Sequence, residues 1–117
     1  MTKNPLTMTV ETLNGTASVI HIEGDITAAA ENKLMDAYTQ ASQNGTKGII
    51  LDFNQLAYMN SSGIGLLVTI LIRAKRQNQQ LMAIGLNEHY RQIFELTRLN
   101  EAISIHETAE AARAALK

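Results

Sequence analysis

At 117 residues, with 45% hydrophobic content and no cysteine, the chain can bury a core without disulfides and has no thiolate for catalysis or metal binding. Ten basic against eleven acidic residues give a formal net charge of −1, which leaves no basic field for nucleic-acid phosphates. No apolar run follows Lys3, and the apolar stretch over residues 64–72 is far short of the ~20 residues that span a bilayer, so one cytoplasmic domain over residues 1–117, with no signal peptide and no membrane span, is expected.

In chain order, Met8, Val10 and Thr12 alternate with polar neighbours and lead into Asn14-Gly15, a strong hairpin signal because both turn residues must take positive φ. The returning strand covers residues 17–23 and closes at Gly24-Asp25. Thr27 is a cap for a first helix, with Leu34, Ala37, Tyr38 and Ala41 at helical spacing and Gly45 as its left-handed stop. Ile49-Ile50-Leu51, ending at Asp52, is continuously apolar, as suits a strand covered on both faces. A loop then leads to a second helix, from Ser61–Ser62 to near Gln77. Leu81-Met82-Ala83-Ile84 forms another strand, stopped by Gly85. Asn87 caps a third helix that carries Tyr90, Ile93, Phe94 and Thr97 on one side, Ile103 and Ile105 mark a last strand, and Thr108 opens an alanine-rich helix reaching Leu116. An N-terminal hairpin followed by β-α units predicts an α/β fold, a mixed sheet packed with about four helices.

The passage from buried strand to second helix is the most informative. Asn60 and Ser61 are both good cap types. The pattern puts Ile64, Leu67, Val68, Leu71 and Ile72 toward the sheet and leaves Leu66 and Ile70 off that stripe. Neighbouring helices could cover those two, or they could form an apolar docking patch beside the Ser61 hydroxyl. Gly63 and Gly65 each lower helix propensity by roughly 1 kcal/mol relative to alanine, which points either to a close backbone approach or to tight helix–sheet packing.

The segment Tyr58-Met59-Asn60-Ser61-Ser62-Gly63-Ile64-Gly65-Leu66-Leu67, preceded by Ile49-Ile50-Leu51-Asp52-Phe53, resembles the switch segment of STAS-domain anti-sigma factor antagonists. Ile22-Glu23-Gly24-Asp25-Ile26 is similar to that family's turn after strand two, and residues 91–99 are similar to the end of its third helix. The resemblance covers nearly the whole chain. It implies a STAS-like fold and a partner switch. The unphosphorylated antagonist binds an anti-sigma factor that is also a serine kinase of the histidine-kinase-like ATPase type. Phosphorylation of the first serine, here Ser61, releases it, and a PP2C-type phosphatase resets it. By position, Asn60, Ser61, Ser62, Gly63, Gly65, Leu66, Ile70, Asp25 and Thr27 are then the partner-binding residues. Asn60 stands where the family usually has Asp, and Thr27 where many members have Asp, so each removes a negative charge from the face that meets the kinase. A phosphate on Ser61 would bring about −1.5 to −2 charges to a helix N-terminus, where the dipole favours them, so the fold should survive the modification.

No dinucleotide fingerprint, P-loop or nucleophile elbow surrounds these serines, and His21, His89 and His106 show no ligand spacing with carboxylates. They read as ordinary surface or strand-end residues. Asp52 reads as a loop acid that accepts backbone N–H groups. No enzyme activity, cofactor, metal, nucleic acid or membrane is therefore expected, and the chain should be a monomer with at most weak dimerisation. The alternative is a STAS module that serves without phosphorylation as a structural subunit, for example of a lipid-transport complex. In that case Ser61 would be only an N-cap, worth ~1 kcal/mol.

Overall fold

The computed structural model describes residues 4–13, 16–43 and 45–116. Along the second strand, Ile20 and Ile22 alternate with Val19 and His21, and the period of two divides the interior between the two faces of one sheet. The strands are β1 (Thr7–Leu13), β2 (Ala17–Ile26), β3 (Gly48–Met59), β4 (Gln80–Ile84) and β5 (Ile103–His106), in spatial order β1-β2-β3-β4-β5. The β1–β2 pair is antiparallel and the other three pairs are parallel. The helices are α1 (Glu31–Ala41), α2 (Ser61–Arg76), α3 (Glu88–Leu96) and α4 (Ala109–Ala114), with short 3-10 turns at Ala28–Ala30 and Leu99–Glu101.

Strands added in one direction with a constant crossover hand put all their crossover helices on one face. Accordingly α1, α2 and α3 cover Ile20, Ile22, Ile49, Leu51, Phe53, Leu81 and Ala83. The other face is apolar only where α4 lies, with Ala112 packed among Val19, Ile50, Met82 and Ile84. The mixed sheet with four helices is thus the architecture that the sequence predicts. Two caps hold as well: the side chains of Asn87 and Thr108 accept from the N–H groups of Tyr90 and Ala111. Thr27 instead accepts from Ala29 and caps the 3-10 turn, and α1 itself starts after Ala30 with no side-chain cap. The Asn14-Gly15 turn lies outside the described residues, and the Leu13–Ala17 pair frames it.

Four expectations change. Residues after Asp52 are strand, not loop, because β2 also runs on past Gly24 and offers Glu23, Asp25 and Ile26 as partners to Gln55, Tyr58 and Met59. Their polarity reflects an exposed face. Gly45 does take positive φ (+72°), but it lies in the connection, since α1 already ends at Ala41. The last helix closes at Ala114 rather than at Leu116. Finally, α2 is rotated about its axis relative to the expected stripe. Its core-facing residues are Gly63, Leu67, Ile70 and Ala74, while Val68 and Ile72 are 37% and 48% exposed. Leu67 is buried as expected, and Ile64 and Leu71 are partly buried against the core, so only the Val68–Ile72 edge of the expected stripe fails. Small residues at both ends of the true stripe let the helix approach the sheet.

Candidate functional site

The site is assembled where β2 and β3 end together. Ile26 pairs with Met59, and the Ile26 carbonyl accepts from the N–H of Asn60 at 3.3 Å. The Met59 N–H donates to the hydroxyl oxygen of buried Tyr90 at 2.9 Å, which ties the strand end to α3. The chain then turns into α2 at Asn60, whose Oδ1 accepts from the Gly63 N–H at 2.9 Å. Asparagine is a strong N-cap because its side-chain oxygen satisfies a donor that the helix cannot.

Capping by Asn60 leaves Ser61 as the first helical residue, exposed to solvent. Of the two cap types that the sequence offers, Asn60 does that work, so Ser61 is not the N-cap that the alternative reading would make it. Ser62 is exposed beside it, and Tyr58, three residues earlier, is 49% exposed.

The two glycines have different causes. A Cβ on Gly63 would meet the Ile26 carbonyl oxygen at 2.4 Å and the Met59 Cγ at 2.9 Å, so this glycine lets the helix sit on the strand ends. A Cβ on Gly65 would have nothing within 4 Å. Gly63 is thus a packing residue, buried and out of a partner's reach. Ile70, with 0% exposure, likewise belongs to the core and not to a docking patch, and Leu66 is partly buried against it. Asp25 and Thr27 flank the site in structural roles. The Asp25 carboxylate accepts from the Asn4 backbone N–H and side-chain Nδ2, both at 3.3 Å, and Thr27 caps the 3-10 turn ahead of α1.

A second polar constellation escapes sequence inspection. On the sheet face that carries α4, His21 bridges two carboxylates: Nδ1 lies 2.7 Å from Asp52 Oδ2 and Nε2 lies 2.8 Å from Glu11 Oε1. It is therefore a strand residue clamped across β1, β2 and β3, not an isolated surface histidine. The hairpin register was the signal that could have found it, since counting back from Leu13–Ala17 brings Glu11 diagonal to His21. The acceptor role expected of Asp52 holds, because its Oδ1 takes the Asn54 N–H at 2.9 Å.

The Glu11 hydrogen bond, with help from Asp52, raises the His21 pKa above its ordinary 6.5 against the opposing effect of burial. Burial alone would raise the Asp52 carboxyl, but hydrogen bonds from Asn54 and His21 outweigh it and hold the pKa below its ordinary 3.8. The folded state thus binds the His21 proton more tightly than the unfolded chain does. Its contribution is complete below about pH 6.5 and is lost as the pH rises through the raised folded value. The Asp52 contribution is present above about pH 3.8 and is lost as the pH falls through the lowered folded value. Urea midpoints should therefore fall between pH 6 and pH 9, and His21→Gln should flatten that slope. An unchanged slope in the variant would remove the clamp as its source.

Among the described residues no helix is long and apolar enough to cross a membrane. The model of the STAS domain family matches residues 7–112. The anti-sigma-B factor antagonist of Staphylococcus aureus is 25% identical over 91 residues, covering 78% of this chain and 84% of that protein. An anti-sigma factor antagonist from Mycobacterium paratuberculosis superposes with a TM-score of 0.80 at 19% identity, covering 96% of this chain and 94% of that one. The Bacillus cell fate determinant SpoIIAA in its phosphorylated form gives a TM-score of 0.71 at 21% identity, covering 92% and 97%. With its sheet order, its helices and the matched span in agreement, this chain belongs to the STAS domain family.

Proposed function

We propose that the protein is an anti-sigma factor antagonist that works by partner switching, with Ser61 as the phosphoacceptor. In its unphosphorylated form it binds an anti-sigma factor that is also a serine kinase of the histidine-kinase-like ATPase type. ATP belongs to that kinase, and this chain is a binding protein with no catalysis or cofactor of its own. Phosphorylation of Ser61 ends the complex, and a PP2C-type phosphatase restores it. The observation that carries the reading is the exposed Ser61 hydroxyl at the start of α2, spared from capping by Asn60. The names of the relatives in Staphylococcus and Mycobacterium support the regulatory class, and the phosphorylated form of SpoIIAA supports a phosphate switch.

The free N–H groups of a helix's first turn and its dipole accommodate a phosphate, so the modification acts on the partner's surface rather than by unfolding the domain. The test is a pull-down from host lysate with wild-type, Ser61→Ala and Ser61→Asp baits. Like-charge juxtaposition at an interface costs several kcal/mol, so Ser61→Asp should weaken capture of the ATPase by about 100-fold or more. Ser61→Ala should bind without being released by ATP. Because Asn60 holds the cap, Ser61→Ala should stay within about 0.5 kcal/mol of wild-type stability. If all three baits capture the same partners, or transport subunits, the phosphoswitch is wrong and a constitutive structural module takes its place.

A further inference from the structure

Strand β2 outlasts the strand beside it. The β1 ladder begins at Thr7, opposite Glu23, but β2 runs on through Gly24, Asp25 and Ile26 with β3 as its partner. On the other side the chain ahead of β1 supplies the missing neighbour. The Asn4 carbonyl accepts the Asp25 N–H at 3.3 Å, and the Asn4 N–H and Nδ2 donate to the two Asp25 carboxylate oxygens, both at 3.3 Å. Lys33 of α1 donates from Nζ to the Leu6 carbonyl at 2.7 Å, and the Leu6 side chain packs on the core. Gly24 is shaped to this segment. Its φ is +104°, and a Cβ there would run into the Pro5 carbonyl, whose carbon is 2.7 Å from the ideal Cβ position. The seat is specific, yet its hold is light. Pro5 has no N–H to give to β2, and the side-chain contacts of Asn4 and Lys33 are exposed. Such a segment can open while the sheet stays folded.

We propose that Asn4–Leu6 is a strap that sets how readily Ser61 is phosphorylated: closed, it positions the phosphoacceptor, and open, it lets the entry to α2 loosen. The inference rests on the reading of Ser61 given above and adds a control on it. The path is short. The strap fixes the Asp25 N–H, and the carbonyl of the next residue, Ile26, receives the Asn60 N–H. Asn60 caps α2, and Ser61 follows it. With the strap open, this end of β2 keeps only its ladder to β3, and that ladder is itself broken by a register shift between Gly24 and Asp25. The Ser61 hydroxyl then spreads over more orientations. Phosphoryl transfer depends on in-line placement of the attacking oxygen, so a looser hydroxyl reacts more slowly.

Asn4→Asp sets a second carboxylate against Asp25 and should open the strap, and Lys33→Met should open it from the other end. Asn4→Asp combined with Asp25→Asn swaps donor and acceptor and should close it again. Two readouts are followed on the full chain: hydrogen exchange of the Asn60 amide, and Ser61 phosphorylation by the purified kinase that the wild-type bait captures. In Asn4→Asp the Asn60 amide should exchange about threefold faster or more, as expected for losing a hydrogen bond to a charged group at an exposed place. Amides at the centre of β2 should keep their wild-type rates. Phosphorylation should slow about tenfold in kcat with little change in KM, and the swapped pair should recover both readouts. Wild-type exchange at Asn60 in both opened variants would overturn the strap as a positioning element. Faster exchange with wild-type phosphorylation would make it a contact of the fold alone. Recovered exchange without recovered phosphorylation would place Asp25 at the kinase itself. Each of these overturns the proposal and leaves the partner switch standing. A wild type that no captured kinase phosphorylates would overturn the partner switch and this control with it.

Discussion

Gly63→Ala is expected to destabilise the protein by about 1–3 kcal/mol, the usual range for overpacking a tight contact. The new methyl would be directed at the Ile26 carbonyl oxygen, 2.4 Å from the ideal Cβ position. Backbone cannot rotate away as a side-chain end can. That same carbonyl accepts from Asn60, so moving it disturbs the entry of the chain into α2 as well as the packing of the helix. The intrinsic preference of alanine for helix, roughly 1 kcal/mol over glycine, offsets only part of this. Urea unfolding read by circular dichroism measures the net change. A midpoint at or above the wild-type value would show that the helix can slide along the sheet without loss. Gly65→Ala, two residues on, should shift stability in the opposite direction, because nothing in the fold meets its methyl.

That pair of glycines shows where sequence stops informing. Spacing and composition single out both and offer two causes, a close approach or tight packing. Tight packing applies to Gly63, as only the position of the Ile26 carbonyl reveals, while open space surrounds the place of a Gly65 Cβ. Order and type of elements are legible because they rest on local signals. Asn87 and Thr108 cap their helices in the structure, and Leu34, Ala37, Tyr38 and Ala41 form the buried side of α1. The rotation of α2 is not legible in this way. Gly63 and Ala74 contribute little hydrophobicity although they face the sheet, while Val68 and Ile72 contribute much and face away. A stripe chosen by bulk therefore includes buried Leu67 and partly buried Ile64 and Leu71 but extends too far toward Val68 and Ile72, and it casts buried Ile70 as a surface residue. The His21 clamp fails to show for a different reason. Its partners, Glu11 and Asp52, lie 10 and 31 residues away in the chain, and strand register alone brings all three together.

Tyr90→Phe should remove about 1–3 kcal/mol of stability, the cost of leaving a buried donor without its partner. Its hydroxyl oxygen accepts from the Met59 N–H at 2.9 Å, in a place where Tyr90 is only 6% exposed. Phenylalanine keeps the ring packing, so the change isolates that hydrogen bond. Met59 stands two residues before Ser61, and its side chain is also what Gly63 packs against. The bond therefore fixes the platform from which α2 starts, and through it the direction in which the Ser61 hydroxyl is offered. Hydrogen exchange separates this local effect from general loosening. The Met59 amide should exchange faster in the variant, by more than the global loss of stability accounts for, while the paired amides at the centre of β2 change only with that global loss. Uniform acceleration across the sheet would mean that α3 stabilises the whole domain without specifically holding the switch segment. Wild-type stability would mean that water has taken over the Met59 N–H. The local outcome would make α3 a positioning element for the phosphoacceptor, because its one hydroxyl reaches the strand end that no other helix side chain is seen to hold among the described residues.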